Sequence, residues 1–273
     1  MKKALSIILS LLLFMSLVSC DKNEGEDKSA AVIETENAIS AIGNVSIDSK
    51  KAIEKAEKLY DILSDSEKEQ VENRLRLVEA REKYDHLEKI NIASKALEML
   101  EQVSSMCASA LGDIENVWEL GLNETKKESS STVFYSIASK TKFTVSEIKT
   151  AASSCNISGD NCVNGTSSTS AWKYCTWVVM EAHKEKGTYT TINSLLSQVE
   201  LMIEQMENEN PEYPFIASLT TYCSELSSYA SFFESPTGTL SELSTMRFNL
   251  LQISDFHSDT IKTDILLAED FFY

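Results

Sequence analysis

From Ala31 to Leu87 apolar residues recur at helical spacing, in three stretches separated by short polar breaks. Ile33, Ile39 and Ile42 predict a first helix that stops at Gly43. Ala52, Ile53, Ala56, Leu59, Tyr60 and Leu63 then fall at i, i+1, i+4, i+7, i+8 and i+11, one buried stripe, with Asp48 or Ser49 placed to cap it. Ser64 and Glu67 have the spacing of a capping box, in which a hydroxyl and a carboxylate each satisfy a backbone N–H at a helix start. Ser64 therefore closes one helix and opens the next. That third helix carries Val71, Leu75 and Val78, and also Leu77, Ala80, Tyr84 and Leu87.

The period continues beyond Ile90. Ile92, Ala96, Leu97, Leu100, Val103, Cys107, Leu111, Ile114 and Trp118 hold one apolar stripe for about seven turns at 3.6 residues per turn, and Gly121 reads as its stop. Residues 123–170 are polar and irregular, with a helix predicted around Ser131 to Ser153 and a Ser/Gly/Asn-rich loop after it. Ala171 to Lys186, Thr190 to Glu207, Phe215 to Phe233 and Leu240 to Leu267 complete the series. They are punctuated by Gly187, by Asn210-Pro211-Glu212-Tyr213-Pro214 and by Ser235-Pro236-Thr237-Gly238-Thr239. The predicted fold class is all-α: a small three-helix module at 31–89, followed by an antiparallel helical bundle at 90–273.

The first residues follow a different pattern. Lys2 and Lys3 precede an apolar run from Ala4 to Val18, too short to span a bilayer and remain there, and the charged run Asp21 to Lys28 follows Cys20. That order reads as a secretory signal over residues 1–19. Leu17-Val18-Ser19-Cys20 resembles the lipobox of bacterial lipoproteins of a Gram-positive type. The resemblance implies cleavage before Cys20 and a diacylglyceryl thioether on its sulfur. Two acyl chains would hold a domain firmly at a membrane where one would be marginal. Residues 20–30 then form the lipidated cysteine and an acidic tether, and the expected location is the extracytoplasmic face of the cell membrane.

Two further resemblances bear on the rest of the chain. Ile39-Ser40-Ala41-Ile42-Gly43-Asn44-Val45-Ser46-Ile47-Asp48-Ser49, with Leu59-Tyr60-Asp61 and Leu63-Ser64-Asp65-Ser66-Glu67-Lys68, is similar to a short helical unit repeated in surface and secreted proteins of Gram-positive bacteria. It covers residues 31–89 and implies a spacer or interaction role. Trp118, the Asn-Pro-Glu-Tyr entry and the Ser-Pro-Thr-Gly-Thr-Leu turn resemble uncharacterised helical surface proteins of the same bacteria, in scattered motifs over 92–270. This second likeness implies a fold and no activity.

Charge narrows the partners. With 25 Lys+Arg against 42 Asp+Glu the net charge is -17, and losing Lys2 and Lys3 with the signal makes it more acidic. Such a chain is repelled by nucleic acid and by anionic headgroups, so no nucleic-acid partner is expected. The partners this reading leaves are the membrane, through the anchor on Cys20, and a protein or other envelope component.

Candidate chemistry is sparse. Cys155 and Cys162 flank a short polar loop and form the candidate disulfide, while Cys107, Cys175 and Cys223 complete the cysteines beyond Cys20. The alternative is free, buried thiols acting as small apolar residues, which fits Cys107 and Cys223 best. Cys155, Cys162 and Cys175 with His183 lack zinc-ligand spacing, and Asp160 to Ala171 lacks the ligands of a calcium loop, so no metal is expected. His86 reads as solvent-facing, His183 as a helix C-terminal cation, and His257, between Asp255 and Asp259, as part of a solvated polar face. No G-x-S-x-G, H-E-x-x-H, P-loop or G-x-G-x-x-G string occurs. Neither catalysis nor a cofactor is expected.

Trp172, Tyr174, Trp177 and Tyr189 are candidates to line a ligand pocket, with Trp172 and Trp177 at its centre. Those two lie five residues apart, about 140° around a helix, and so point different ways. Core packing is the ordinary role of such residues. The expected function is a non-enzymatic interaction or structural role at the cell surface. The alternative is a small-molecule binding or sensing lipoprotein with a pocket in the C-terminal bundle.

Overall fold

The computed structural model describes residues 28–123, 128–209, 213–234 and 239–270. Residues 1–19, read as a signal, Cys20, the segment up to Asp27 read as a tether, and the residues Asn210-Pro211-Glu212 and Ser235 to Gly238 lie outside the described residues. Among the described residues there are eleven α-helices and no strand, packed as a helical bundle. The chain divides into two compact units, Met1–Arg81 and Glu82–Tyr273.

The first unit contains α1 (Ala30–Ala41), a 3₁₀ turn at Ile47–Ser49, α2 (Lys50–Asp61), α3 (Asp65–Gln70) and the beginning of α4 (Arg74–Asn123). Its core is Val32, Ile39, Ile42, Ile53, Ala56, Leu63, Val71, Leu77 and Ala80. Full burial of each Val, Leu or Ile there contributes about 1.5–3 kcal/mol. Ile33 is half-exposed, because the buried face of α1 starts one residue earlier, at Val32 and Thr35.

The Ser64–Glu67 capping box is present: Glu67 N–H donates to Ser64 Oγ at 3.4 Å, and Ser64 N–H donates to Glu67 Oε2 at 3.0 Å. The helix it opens ends at once. Val71 is extended, with ψ 100°, and the chain enters α4 at Arg74. This break selects between the two overlapping stripes of the third predicted helix. Leu77, Ala80 and Tyr84 are buried, whereas Leu75 and Val78 are exposed. Lys28 Nζ reaches Glu36 Oε1 at 2.7 Å and Glu72 Oε1 at 2.8 Å, and Arg81 grips both oxygens of Glu57 at 2.7 and 2.5 Å. The first two join Lys28, just ahead of α1, to α1 and to the link between α3 and α4, and the last joins α4 to α2.

In the second unit, α4 continues unbroken through the region read as a module boundary at 89/90 and through Gly121, ending at Asn123. Then follow α5 (Val133–Ser139), α6 (Val145–Ser154), α7 (Gly159–Asn164), α8 (Ala171–Glu185), α9 (Thr188–Glu209), α10 (Pro214–Glu234) and α11 (Leu240–Asp270). The helix predicted over Ser131 to Ser153 is therefore two. Thr144 opens the second with its own capping box to Glu147, and Glu147 N–H donates to Thr144 Oγ1 at 3.3 Å. The loop that follows also contains a helix, α7, capped by Ser158 and closed by Gly165 at φ 65°.

One core runs through this unit. Leu97, Leu100, Val103, Cys107, Leu111, Ile114 and Val117 of α4 pack with Val178 and Val179 of α8, Val199 of α9, Phe215, Leu219 and Tyr222 of α10, and Leu250 and Ile261 of α11. Along α10, the hydroxyls of Thr220, Thr221, Ser227, Ser228 and Ser231 each donate to the carbonyl four residues back. Among the described residues no helix is long and apolar enough to cross a membrane.

Candidate functional site

The aromatic residues of α8 do not act together. Trp172 stacks on Trp118, with ring centroids 4.1 Å apart and planes 9° from parallel, where it seals α4 against α8. Trp177 faces outward and is 46 % exposed. The two tryptophans read as the centre of one pocket are thus divided between the packing and the surface, as their angular separation on α8 requires.

Trp177 lines a cleft of about 780 Å³ between α6, α8, α9 and the end of α10. Tyr174, Trp177, Met180, Glu181 and Lys184 supply its α8 wall, one face of a helix at i, i+3, i+6, i+7 and i+10. Tyr174 meets Trp177 edge to face at 5.4 Å and 87°. The floor is Tyr189, stacked at 6.1 Å on Phe233, with its hydroxyl donating to the Met180 carbonyl at 3.4 Å. Burial holds the Tyr189 phenol protonated. Glu181 and Lys184 pair with each other at 3.1 Å, so the charged rim is locally neutral. Asn156, in left-handed backbone conformation at φ 55°, and Asn193 add amides. The arrangement offers aromatic faces, amides and a compensated ion pair to a small ligand. Sequence reasoning reached Trp177, Tyr174 and Tyr189 but missed the α6 contribution, because Asn156 and Ile157 lie in what reads as a loop.

The cysteines differ from expectation. The expected Cys155–Cys162 bond is absent here, since all five described cysteines are free, Cys162 and Cys175 included. The intervening residues are not an open loop. Ser158 caps α7, which carries Cys162 inward, while Cys155 ends α6 with its thiol donating to the Ala151 carbonyl at 3.0 Å. Cys162 lies instead against Cys175 of α8, whose thiol donates to the Cys162 carbonyl at 3.5 Å. Cys107 and Cys223 are buried, and burial pushes their thiols up to about 12 and about 11.

None of the three histidines is solvated. His86 Nε2–H donates to the Ala268 carbonyl at 2.8 Å; its Nδ1 then accepts from the Tyr213 hydroxyl at 2.6 Å. Burial holds this imidazole below its ordinary pKa. His183 is fully buried, with Nε2 3.2 Å from Asp113 Oδ2 and Nδ1 3.3 Å from Thr188 Oγ1. Phe143 presents its edge at 4.8 Å. Burial lowers the His183 pKa against the opposing pull of Asp113. His257 stacks on Tyr222 at 5.1 Å and bonds Glu225 Oε2 at 3.0 Å. In each case a helical neighbour that is remote in sequence covers the ring, which the charged residues adjacent in sequence concealed.

Asp113, His183 and Thr188 have the order of an acid–imidazole–hydroxyl relay. Thr188 is 5 % exposed and His183 is fully buried, so no reacting group of a substrate reaches the hydroxyl. The array fastens α4, α8 and α9. Among the described residues no three of His, Cys, Asp and Glu gather to hold a metal.

The last helix has an unusual surface. Its inner side buries Leu243, Leu250, Ile261 and Ile265 and bonds α4 through Ser254 to Ser104, Ser258 to Glu101, and Arg247 to Glu115 at 3.0 Å. Its outer side leaves Phe248, Phe256, Leu266 and Leu267 more than 60 % exposed, with Leu251 beside them at 45 %. These apolar groups are interspersed with the exposed Thr245, Gln252, Asp255, Asp259 and Thr263 of the same helix. No family model, curated protein or solved structure matches the chain.

Proposed function

We propose that this chain is a membrane-anchored extracytoplasmic lipoprotein with a non-enzymatic interaction role, in which α11 presents the contact surface. The observation that carries the reading is the outer face of α11, where Phe248, Leu251, Phe256, Leu266 and Leu267 remain exposed on an otherwise acidic protein. Clustered exposed apolar groups mark interaction surfaces, and Phe248 with Leu251, like Leu266 with Leu267, are neighbours on the helix. The order of the first residues, a basic start, an apolar run and Leu17-Val18-Ser19-Cys20, supports the anchor. In this reading the lipid sets location, the acidic residues after Cys20 give reach, and the bundle is displayed to a protein or envelope partner.

Two measurements test it. A palmitate analogue fed to cells should label the wild-type chain and leave Cys20→Ser unlabelled; label on the variant removes the anchor. Wild-type chain should bind isolated cell envelopes, and a Phe256→Ser, Leu266→Ser variant with an unchanged helical spectrum should lose that binding. Retained binding removes α11 as the contact face.

A second reading is favoured by the cleft beside Trp177: a lipoprotein that binds or senses a small molecule. A ligand that binds only the folded state, supplied at a hundred times its dissociation constant, adds about 2.7 kcal/mol of stability. A thermal-shift panel of sugars, amino acids and peptidoglycan fragments, repeated on Trp177→Ala, tests it. A shift shared equally by the variant places the ligand elsewhere.

A further inference from the structure

Cys162 and Cys175 are both fully buried, one on α7 and the other on α8. The Cys175 thiol reaches the Cys162 carbonyl at 3.5 Å. The Cys175 side chain, followed by burial, also raises the Cys162 thiol pKa, in keeping with that contact.

The backbone between them is held for this approach. Gly165 turns the chain at φ 65°, a conformation that strains any other L-residue. Thr166 N–H donates to the Thr169 carbonyl at 2.7 Å, and Thr169 N–H returns to Thr166 Oγ1 at 3.1 Å. The Tyr174 hydroxyl meets Thr166 Oγ1 at 3.3 Å, tying this turn to the helix that bears Cys175. Among the described residues no third ligand joins the two cysteines, so a shared metal does not account for the pairing.

We infer that Cys162 and Cys175, free thiols in this structure, form a disulfide when the protein is oxidised, made by thiol–disulfide exchange with a donor disulfide, carried by a small thiol or an oxidoreductase, while the chain folds. One cysteine thiolate attacks the donor S–S bond and releases the first donor thiol. The second thiolate attacks the resulting mixed disulfide and releases the other. Two protein S–H bonds and one donor S–S bond become one protein S–S bond and two donor S–H bonds. The protein loses two electrons, the donor gains them, and no proton is released overall. Both sulfurs are sealed in the finished fold, so exchange precedes their burial and the bond is then shielded from reductants. Its occurrence in cells rests on the extracytoplasmic reading, since such donors act outside the cytosol.

The experiment uses the full chain in two arms, each quenched with iodoacetamide and digested for peptide mass spectrometry. Refolding in mixed oxidised and reduced glutathione should give a linked Cys162–Cys175 peptide, with Cys107, Cys155 and Cys223 alkylated once the chain is unfolded. Chain isolated from cells should give the same link. Alkylation of both Cys162 and Cys175 after refolding overturns the inference, as does a Cys155–Cys162 link. A link on refolding that is missing from the cellular protein sustains the pairing and overturns the extracytoplasmic reading. Cys175→Ser should lower the melting temperature under oxidising conditions and much less under reduction, whereas Cys155→Ser leaves the link intact. An equal loss for Cys175→Ser in both conditions assigns it to packing and counts against the bond.

Discussion

Trp118 and Trp172 lie face to face at 4.1 Å because Gly121, one turn further along α4, has no side chain to keep α8 away. A Cβ at Gly121 would stand 2.7 Å from the Trp172 Cβ and press on its backbone. Gly121→Ala gains up to about 1 kcal/mol of helix propensity and loses more to overpacking, which costs about 1–3 kcal/mol. Net destabilisation is the expected outcome in urea unfolding, and a variant more stable than the parent would mean that α4 and α8 do not meet here.

The histidines set the pH dependence. Burial lowers the pKa of both His86 and His183, the latter with Asp113 opposing and Lys142 reinforcing, the former with Lys89 reinforcing. The unfolded chain then takes up protons at about 6.5 that the folded chain refuses. Stability from these two sites is therefore complete above about pH 6.5 and declines as the pH falls below it. Imidazole signals followed by NMR should keep neutral shifts for both residues below that point. Titration of either ring above its ordinary value would reverse the sign.

Glu147 tests electrostatics at the surface. Lys186, the Thr144 N–H and the Thr144 hydroxyl hold its carboxyl at about 2. Its contribution is present above the ordinary carboxylate value and is lost as the pH falls toward about 2. Glu147→Gln should weaken α6 at neutral pH and have no effect in strong acid, read by helicity against pH. An effect that persists in strong acid would assign the loss to packing.

At the start of α3, Ser64→Ala removes the hydroxyl of a capping box whose carboxylate is also held by Ser29 at 2.8 Å. The expected cost is about 1 kcal/mol. Hydrogen exchange of the α3 amides should accelerate, and an unchanged rate would show that the first turn needs no side-chain cap.

On the outer face of α11, Phe256→Ser should change stability by no more than about 0.5 kcal/mol, the usual range for surface substitutions. It should also shorten retention on a hydrophobic-interaction column. A large loss of stability would mean that Phe256 is covered within the folded chain.

The sequence made the helices legible where a periodic stripe coincided with a cap, as at Ser64 and Glu67. It was ambiguous where two stripes overlapped. Leu75 and Val78 competed with Leu77 and Tyr84 until the extended residue Val71 fixed the rotation of α4. Gly121 reads as a stop because glycine carries both meanings, and only the neighbour across the interface distinguishes a helix end from a close approach. The cleft was half visible: Trp177 and Tyr174 share a helix face, but Asn156 and Phe233 arrive from other elements. Cysteine proximity was the least legible of all, since the residues between Cys155 and Cys162 form α7 and the thiol of Cys175, from α8, meets the Cys162 carbonyl.

The hydroxyls of α10 have a consequence for how this protein changes over time. Thr220, Thr221, Ser227, Ser228 and Ser231 all spend their donors on their own helix, a habit that slightly weakens a helix. Replacing the exposed Thr221, Ser228 or Ser231 by alanine removes no tie to another element and improves helix propensity by up to about 0.7 kcal/mol each. The lineage thus holds unspent mutational headroom in α10, which can absorb a destabilising innovation on the faces that meet the outside world.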